Sequence, residues 1–227
     1  MGSIELTAAD GHKLAAWKAA PQGTPKGAIV VVQEIFGINS HIRAVADGFA
    51  GDGYLAIAPA FFDRVERGYE TGYTPEDIAA GRERIGKLDW NNTLADLAAG
   101  IEAATEALGG NGKVGVVGYC WGGTVAWRAA ARAQGLGTSV CYYGGGIGDF
   151  VAEKPNVPVL LHFGAKDTTP SPETGKEIER RYPQAEVHVY PGAGHGFNCD
   201  QRGSYDAESA KLARTRTVAF FDKQLAR

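Results

Sequence analysis

The chain has 227 residues, 44% of them hydrophobic and 22% charged, with a formal net charge of −3. This length suits one α/β domain spanning residues 1–227, and the weakly acidic balance offers no basic face for nucleic acid. No apolar stretch approaches the roughly 20 residues that cross a bilayer, so neither nucleic acid nor a membrane is an expected partner.

The opening MGSIELTAADGHKLAAW has no basic segment followed by an apolar run, so no secretory signal is expected. Leu6 stands where myristoylation needs a hydroxyl residue. Two short strands near IELTA and HKLAAWKA predict an antiparallel edge. AIVVVQE (28–34) reads as a strand, HIRAVADGFAG as a helix and YLAIAPA (54–60) as a second strand. The next segment, FFDRVERGYETGYTPED (61–77), is polar, aromatic and aperiodic. It fits a pocket-lining loop and a surface excursion equally well.

Further on, NNTLADLAAGIEAATEAL predicts a helix, KVGVVGY (113–119) a strand and GGTVAWRAAARA a helix. TSVCYYG (138–144), VPVLLHFG (157–164) and AEVHVY (185–190) predict strands, with PETGKEIERRY a helix between the last two. SAKLARTRTVAFFDKQLA closes the chain as a helix. Apolar runs alternating with helices predict a mostly parallel central sheet covered by helices on both faces. Cys120, Cys141 and Cys199 cannot all pair, and their spacing matches no zinc motif. A reduced cytoplasmic protein without a metal is expected.

Gly118-Tyr119-Cys120-Trp121-Gly122 satisfies the G-x-nucleophile-x-G pattern and lies between a predicted strand and a predicted helix. A nucleophile in so tight a turn has a strained backbone, and side chains two positions to either side would collide with neighbouring elements. Gly123 and Ala126 keep the start of the helix slim. The helix N-terminus favours a thiolate, and the Trp121 N–H can face an oxyanion. The plain alternative is a buried, inert cysteine, which suits Cys141 better.

A free thiol, with a pKa of about 8.5, needs a base and an orienting acid at neutral pH. In α/β-hydrolases these follow in the order nucleophile, acid, histidine. Asp167 sits in a polar loop after VPVLLHFG, and His195 in the glycine-rich loop after AEVHVY. His12 and His41 precede the elbow, while His162 and His188 lie within predicted strands. Cys120, Asp167 and His195 are therefore the expected triad.

With these residues placed, QEIFGIN (33–39), GYCWGG (118–123), HFGAKD (162–167) and GAGHGF (192–197) together resemble the dienelactone hydrolase family of α/β-hydrolases. The resemblance implies a single-domain α/β-hydrolase fold that hydrolyses a small, carboxylated enol-lactone such as dienelactone, without metal or organic cofactor. It implies an oxyanion hole from the N–H groups of Ile35 and Trp121. It also gives Glu34 contact with the resting cysteine until substrate arrives, whereas a bare turn-satisfying role is the alternative.

The resemblance further implies a carboxylate-binding arginine, best matched by Arg82, with Arg84 and Arg64 as alternatives. The family's second arginine, four residues beyond the histidine, is replaced here by Cys199, and Arg202 follows three residues later. Phe36, Tyr143 and Phe197 are expected in the substrate wall; together with Trp121, Phe61, Phe62 and Tyr69 they suit either an apolar pocket or the core. The competing readings are a broader carboxylesterase or thioesterase and a catalytically silent binding protein. Oligomeric state is left open, a monomer included.

Overall fold

The computed structural model describes residues 1–110 and 113–225. Its eight strands are β1 (Gly2–Thr7), β2 (Lys13–Ala19), β3 (Ala28–Val32), β4 (Leu55–Pro59), β5 (Val114–Tyr119), β6 (Leu136–Tyr142), β7 (Val159–Gly164) and β8 (Glu186–Tyr190). They form one sheet in the order β1-β2-β4-β3-β5-β6-β7-β8. β1 pairs antiparallel with β2, and β2 with β4; the remaining pairs are parallel. The expected antiparallel edge and parallel centre are both present.

The central strands are buried almost along their whole length, and mostly apolar, because both of their faces are covered. Val30 and Val32 of β3 pack into one core, and the alternating Ile29 and Val31 into the other. On the first face lie α3 (Trp90–Ala107), α4 (Trp121–Arg132) and α5 (Pro172–Arg181), through Leu97, Val125 and Ile178. On the second lie α1 (Ser40–Gly51) and α6 (Ala207–Leu225), through Phe49 and Phe221. The expected closing helix ran to Ala226, which lies outside the described residues. No helix of the described residues is long and apolar enough to cross a membrane.

One element departs from the expectation. Residues 75–85, of which 75–77 belong to the segment expected to be aperiodic, form the helix α2 (Pro75–Ile85). Thr74 and Asp77 make a capping box, and Pro75 occupies the first turn, where its missing N–H costs nothing. The stretch before it is anchored at two points and exposed at residues 66–68 between them. Phe61 and Phe62 are fully buried in a short 3-10 turn, and Gly37 makes a β-bridge to Glu70.

Candidate active site

Cys120 follows β5 directly and caps the start of α4, with φ 56° and ψ −120°. A non-glycine residue in such a conformation costs on the order of 1–3 kcal/mol and persists only where its surroundings hold it. Two backbone bonds do so: Cys120 N–H donates to Tyr142 O (3.0 Å), and Gly123 N–H donates to Cys120 O (2.9 Å). The flanking glycines are obligatory by contact. A Cβ on Gly118 would stand 1.8 Å from the Gly122 carbonyl oxygen, and one on Gly122 would stand 2.4 Å from that of Gln33. The strand, the turn and the helix thus touch backbone to backbone.

Asp167 lies just past β7 and His195 past β8, both in loops at the same rim of the sheet as Cys120. His195 Nε2 is 3.1 Å from Cys120 Sγ, and its Nδ1 is 2.9 Å from Asp167 Oδ2. The second oxygen of Asp167, itself buried, accepts from Thr169 N–H at 2.9 Å. Burial disfavours the charged imidazole, but hydrogen bonds to Asp167 and Cys120 outweigh it and push the His195 pKa up to about 10. The three residues singled out in sequence therefore form one hydrogen-bonded chain.

This chain opens into a cavity of about 580 Å³. Ile35, Phe36, Trp121, Arg82 and Arg202 line it beside Cys120, Asp167 and His195. Among the described residues, neither the Ile35 nor the Trp121 N–H donates a backbone hydrogen bond, as befits groups available to an oxyanion. The loop carrying Ile35 is pinned from outside by α2, where a Cβ on Gly81 would lie 2.2 Å from the Ile35 carbonyl oxygen.

Of the three candidate arginines, only Arg82 reaches the cavity. Arg84 pairs with Glu66 and stacks on Tyr69, with its guanidinium carbon 3.6 Å from the ring centroid. Arg64 forks onto Asp96 at 2.7 Å and reaches Asp10 at 2.8 Å. Arg202 also arrives at the wall, admitted by Gly196, whose φ is +75° and whose Cβ would meet the guanidinium at 2.4 Å.

Glu34 is buried and pairs with Arg202, Oε1 to Nη1 3.2 Å, while the Cys120 sulfur is engaged by His195. Two expected wall residues are elsewhere. Tyr143 and Phe197 are fully buried in the core that faces α1 and α6, where Tyr143 packs against the His195 ring at 5.2 Å. They back the histidine instead of lining the cavity, because the chain past β6 turns Tyr143 inward with φ 37°. Trp90, Phe150, Ile78 and Ile85 line the cavity and were not anticipated. Trp90 stacks on Trp121 at 6.3 Å and meets Phe150 edge-on at 5.1 Å. These four residues come from three separate segments, so no motif in the sequence marks them.

Residues 14–225 match the model of the dienelactone hydrolase family. A carboxymethylenebutenolidase of Pseudomonas putida is 35% identical over 226 residues, covering 96% of this chain and 94% of its own. A Synechocystis protein provisionally given the same name is 37% identical over 212 residues, covering 87% and 86%. A Klebsiella pneumoniae structure provisionally described as a dienelactone hydrolase superposes with a TM-score of 0.85 at 32% identity, over 98% of this chain and 100% of that one.

Proposed function

The chain belongs to the dienelactone hydrolase family of hydrolases acting on esters and lactones, and from that premise we propose that it opens a small enol-lactone such as dienelactone through a thioester on Cys120. The observation that carries this reading is the unbroken chain from Asp167 through His195 to Cys120, open to a cavity that Arg82 also lines.

The thiol proton passes to His195 Nε2, and Sγ attacks the lactone carbonyl carbon. Asp167 holds the imidazolium through Nδ1–H and offsets its charge while the bond forms. The N–H groups of Ile35 and Trp121 receive the oxyanion; one such donor contributes roughly 3–4 kcal/mol in acyl-transfer sites. Collapse of the tetrahedral intermediate breaks the ring C–O bond. The expelled enolate is a better leaving group than an alkoxide, so it needs less help from an acid. Water activated by His195 then hydrolyses the thioester and returns the thiol. Three unpaired cysteines suit a reducing cytoplasm.

Glu34 acts by charge. Bonded to the sulfur, its carboxylate opposes thiolate formation; bonded to Arg202, as here, it leaves the sulfur to His195. A second reading, an esterase of broader range, is favoured by the same pair: Arg202 is already occupied by Glu34, which leaves Arg82 to recognise a substrate carboxylate.

The test compares kcat/KM for a carboxylated dienelactone and its neutral methyl ester in wild type, Arg82→Ala and Cys120→Ala. Cys120→Ala is expected to abolish both activities. Arg82→Ala is expected to lower turnover of the acid about 10- to 150-fold, the worth of a charged hydrogen bond, and to spare the ester. Activity surviving in Cys120→Ala would sink the nucleophile, and a wild type that prefers the ester would establish the broader esterase.

A further inference from the structure

Beside the nucleophile lies a second cluster of reactive groups, of which only Glu34 enters the proposed hydrolysis. Glu34, His41 and Cys199 are all buried, at 1%, 4% and 0% exposure, and one ligand atom from each lies within 4.8 Å of the other two. Glu34 Oε2 and His41 Nε2 have no hydrogen-bond partner. Two buried polar atoms without a partner are costly in a folded protein, and an ion bound by both removes that cost.

We propose that Glu34, His41 and Cys199 form a binding site for a zinc-class divalent cation. The donor set of carboxylate oxygen, imidazole nitrogen and thiolate sulfur is that of a borderline-soft metal such as Zn²⁺ and not of Mg²⁺ or Ca²⁺. Tetrahedral coordination at zinc bond lengths places such donors roughly 3.3–3.6 Å apart. From separations of up to 4.8 Å the donors close by roughly 1 Å, through side-chain rotation, to reach that spacing, and the fourth position is left for water.

Each proposed ligand also has an outer partner of the kind that orients metal ligands. Asp200 Oδ1 lies 3.5 Å from His41 Nδ1, on the side of the ring away from Nε2. The Tyr73 hydroxyl accepts from Asn39 at 3.0 Å and hydrogen-bonds Cys199 in turn. Arg202 holds Oε1 of Glu34, leaving Oε2 for the ion. Charges also balance: the cation and Arg202 together offset Glu34, Asp200 and the Cys199 thiolate. As the metal–sulfur bond forms, the thiol proton leaves to solvent. A cavity of about 310 Å³ lined by His41 and Asp200 supplies the way in. An ion bound here is joined to the active-site wall through Glu34 and Arg202.

The test uses the full chain carrying Cys120→Ala, so that the nucleophile's sulfur contributes nothing, after treatment with a chelator. Titration with Co²⁺ is expected to raise a sulfur-to-cobalt charge-transfer band that saturates at one equivalent, and equilibrium dialysis is expected to find one Zn²⁺ per chain. Cys199→Ser should remove the band, and His41→Gln should weaken Zn²⁺ binding by at least about 10-fold. No band and no stoichiometric Zn²⁺ in the parent protein would overturn the site, whether or not the two variants fold. So would affinity unchanged in both variants. Because the readout is binding in a protein without Cys120, failure here leaves the hydrolytic reading untouched.

Discussion

At the floor of the cavity, Gly118, Gly122 and Gly123 let three backbones meet with no side chain between them, and Cys120 is held in a strained conformation by bonds to its own N–H and C=O. At the rim, α2 brings Arg82 to the cavity on a helix whose outer side is held by the Arg84–Glu66 pair and a stack on Tyr69. The floor tolerates no added atom; the rim is pinned as closely at one point, Gly81 against the Ile35 carbonyl, but its outer side rests on one ion pair and one stack. Chemistry is thereby fixed by close packing, and recognition is left to the side chains that α2 carries around that one fixed contact.

The contrast breaks most visibly at Gly122. Gly122→Ala is expected to destabilise the fold by about 3 kcal/mol or more and to lower kcat/KM at least about 100-fold by displacing the nucleophile. Chemical denaturation and initial rates measure both. Gly51→Ala, at the open end of α1 with nothing within 4 Å of its Cβ, is the matched control and should change neither by much. Equal effects at the two glycines would remove the backbone argument.

Asp167→Asn sharpens the account of the floor. Its kcat/KM should fall roughly 10²- to 10⁴-fold through loss of the oriented tautomer. The raised pKa of His195 also sets a sign for stability. Its stabilising contribution is complete below the unfolded value of about 6.5 and vanishes as pH rises through about 10. The stability gap between wild type and Asp167→Asn should therefore be wider at pH 6 than at pH 10, and a constant gap would refute the assignment. The smallest effect belongs to the rim: Arg84→Ala should cost less than about 1 kcal/mol and leave kcat/KM within about twofold. A larger loss would mean that α2 is as tightly specified as the elbow.

The floor was legible in the sequence and much of the rim was not, for the same reason. Tight backbone approach demands glycine, so GYCWGG states its geometry openly, and the order of Cys120, Asp167 and His195 follows from strands that are plainly apolar. α2 has few inward residues, chiefly Ile78, Gly81 and Ile85, so its periodicity is faint; the signal missed was the capping pair Thr74 and Asp77. Tyr143 and Phe197 were expected at the substrate as aromatics suited to wall an apolar pocket, but residue type does not set which face of the sheet receives a ring. Glu34, His41 and Cys199 come from three separate segments, so no spacing rule foretells their meeting. Arg202, left open by the sequence, reaches the cavity wall past Gly196 and pairs there with Glu34.

In the strand order, β3 is flanked by β4 and β5, so the chain leaves β3 toward one edge and returns on its other side. Cys120, Asp167, His195 and Ile35 all follow the carboxyl ends of their strands. The opposite rim, where Gln22, Lys154 and Gln184 are exposed, carries none of them. A tether or fusion partner attached there would hold the molecule with its cavity facing outward, so the fold has a natural handle for immobilising the catalyst on a support.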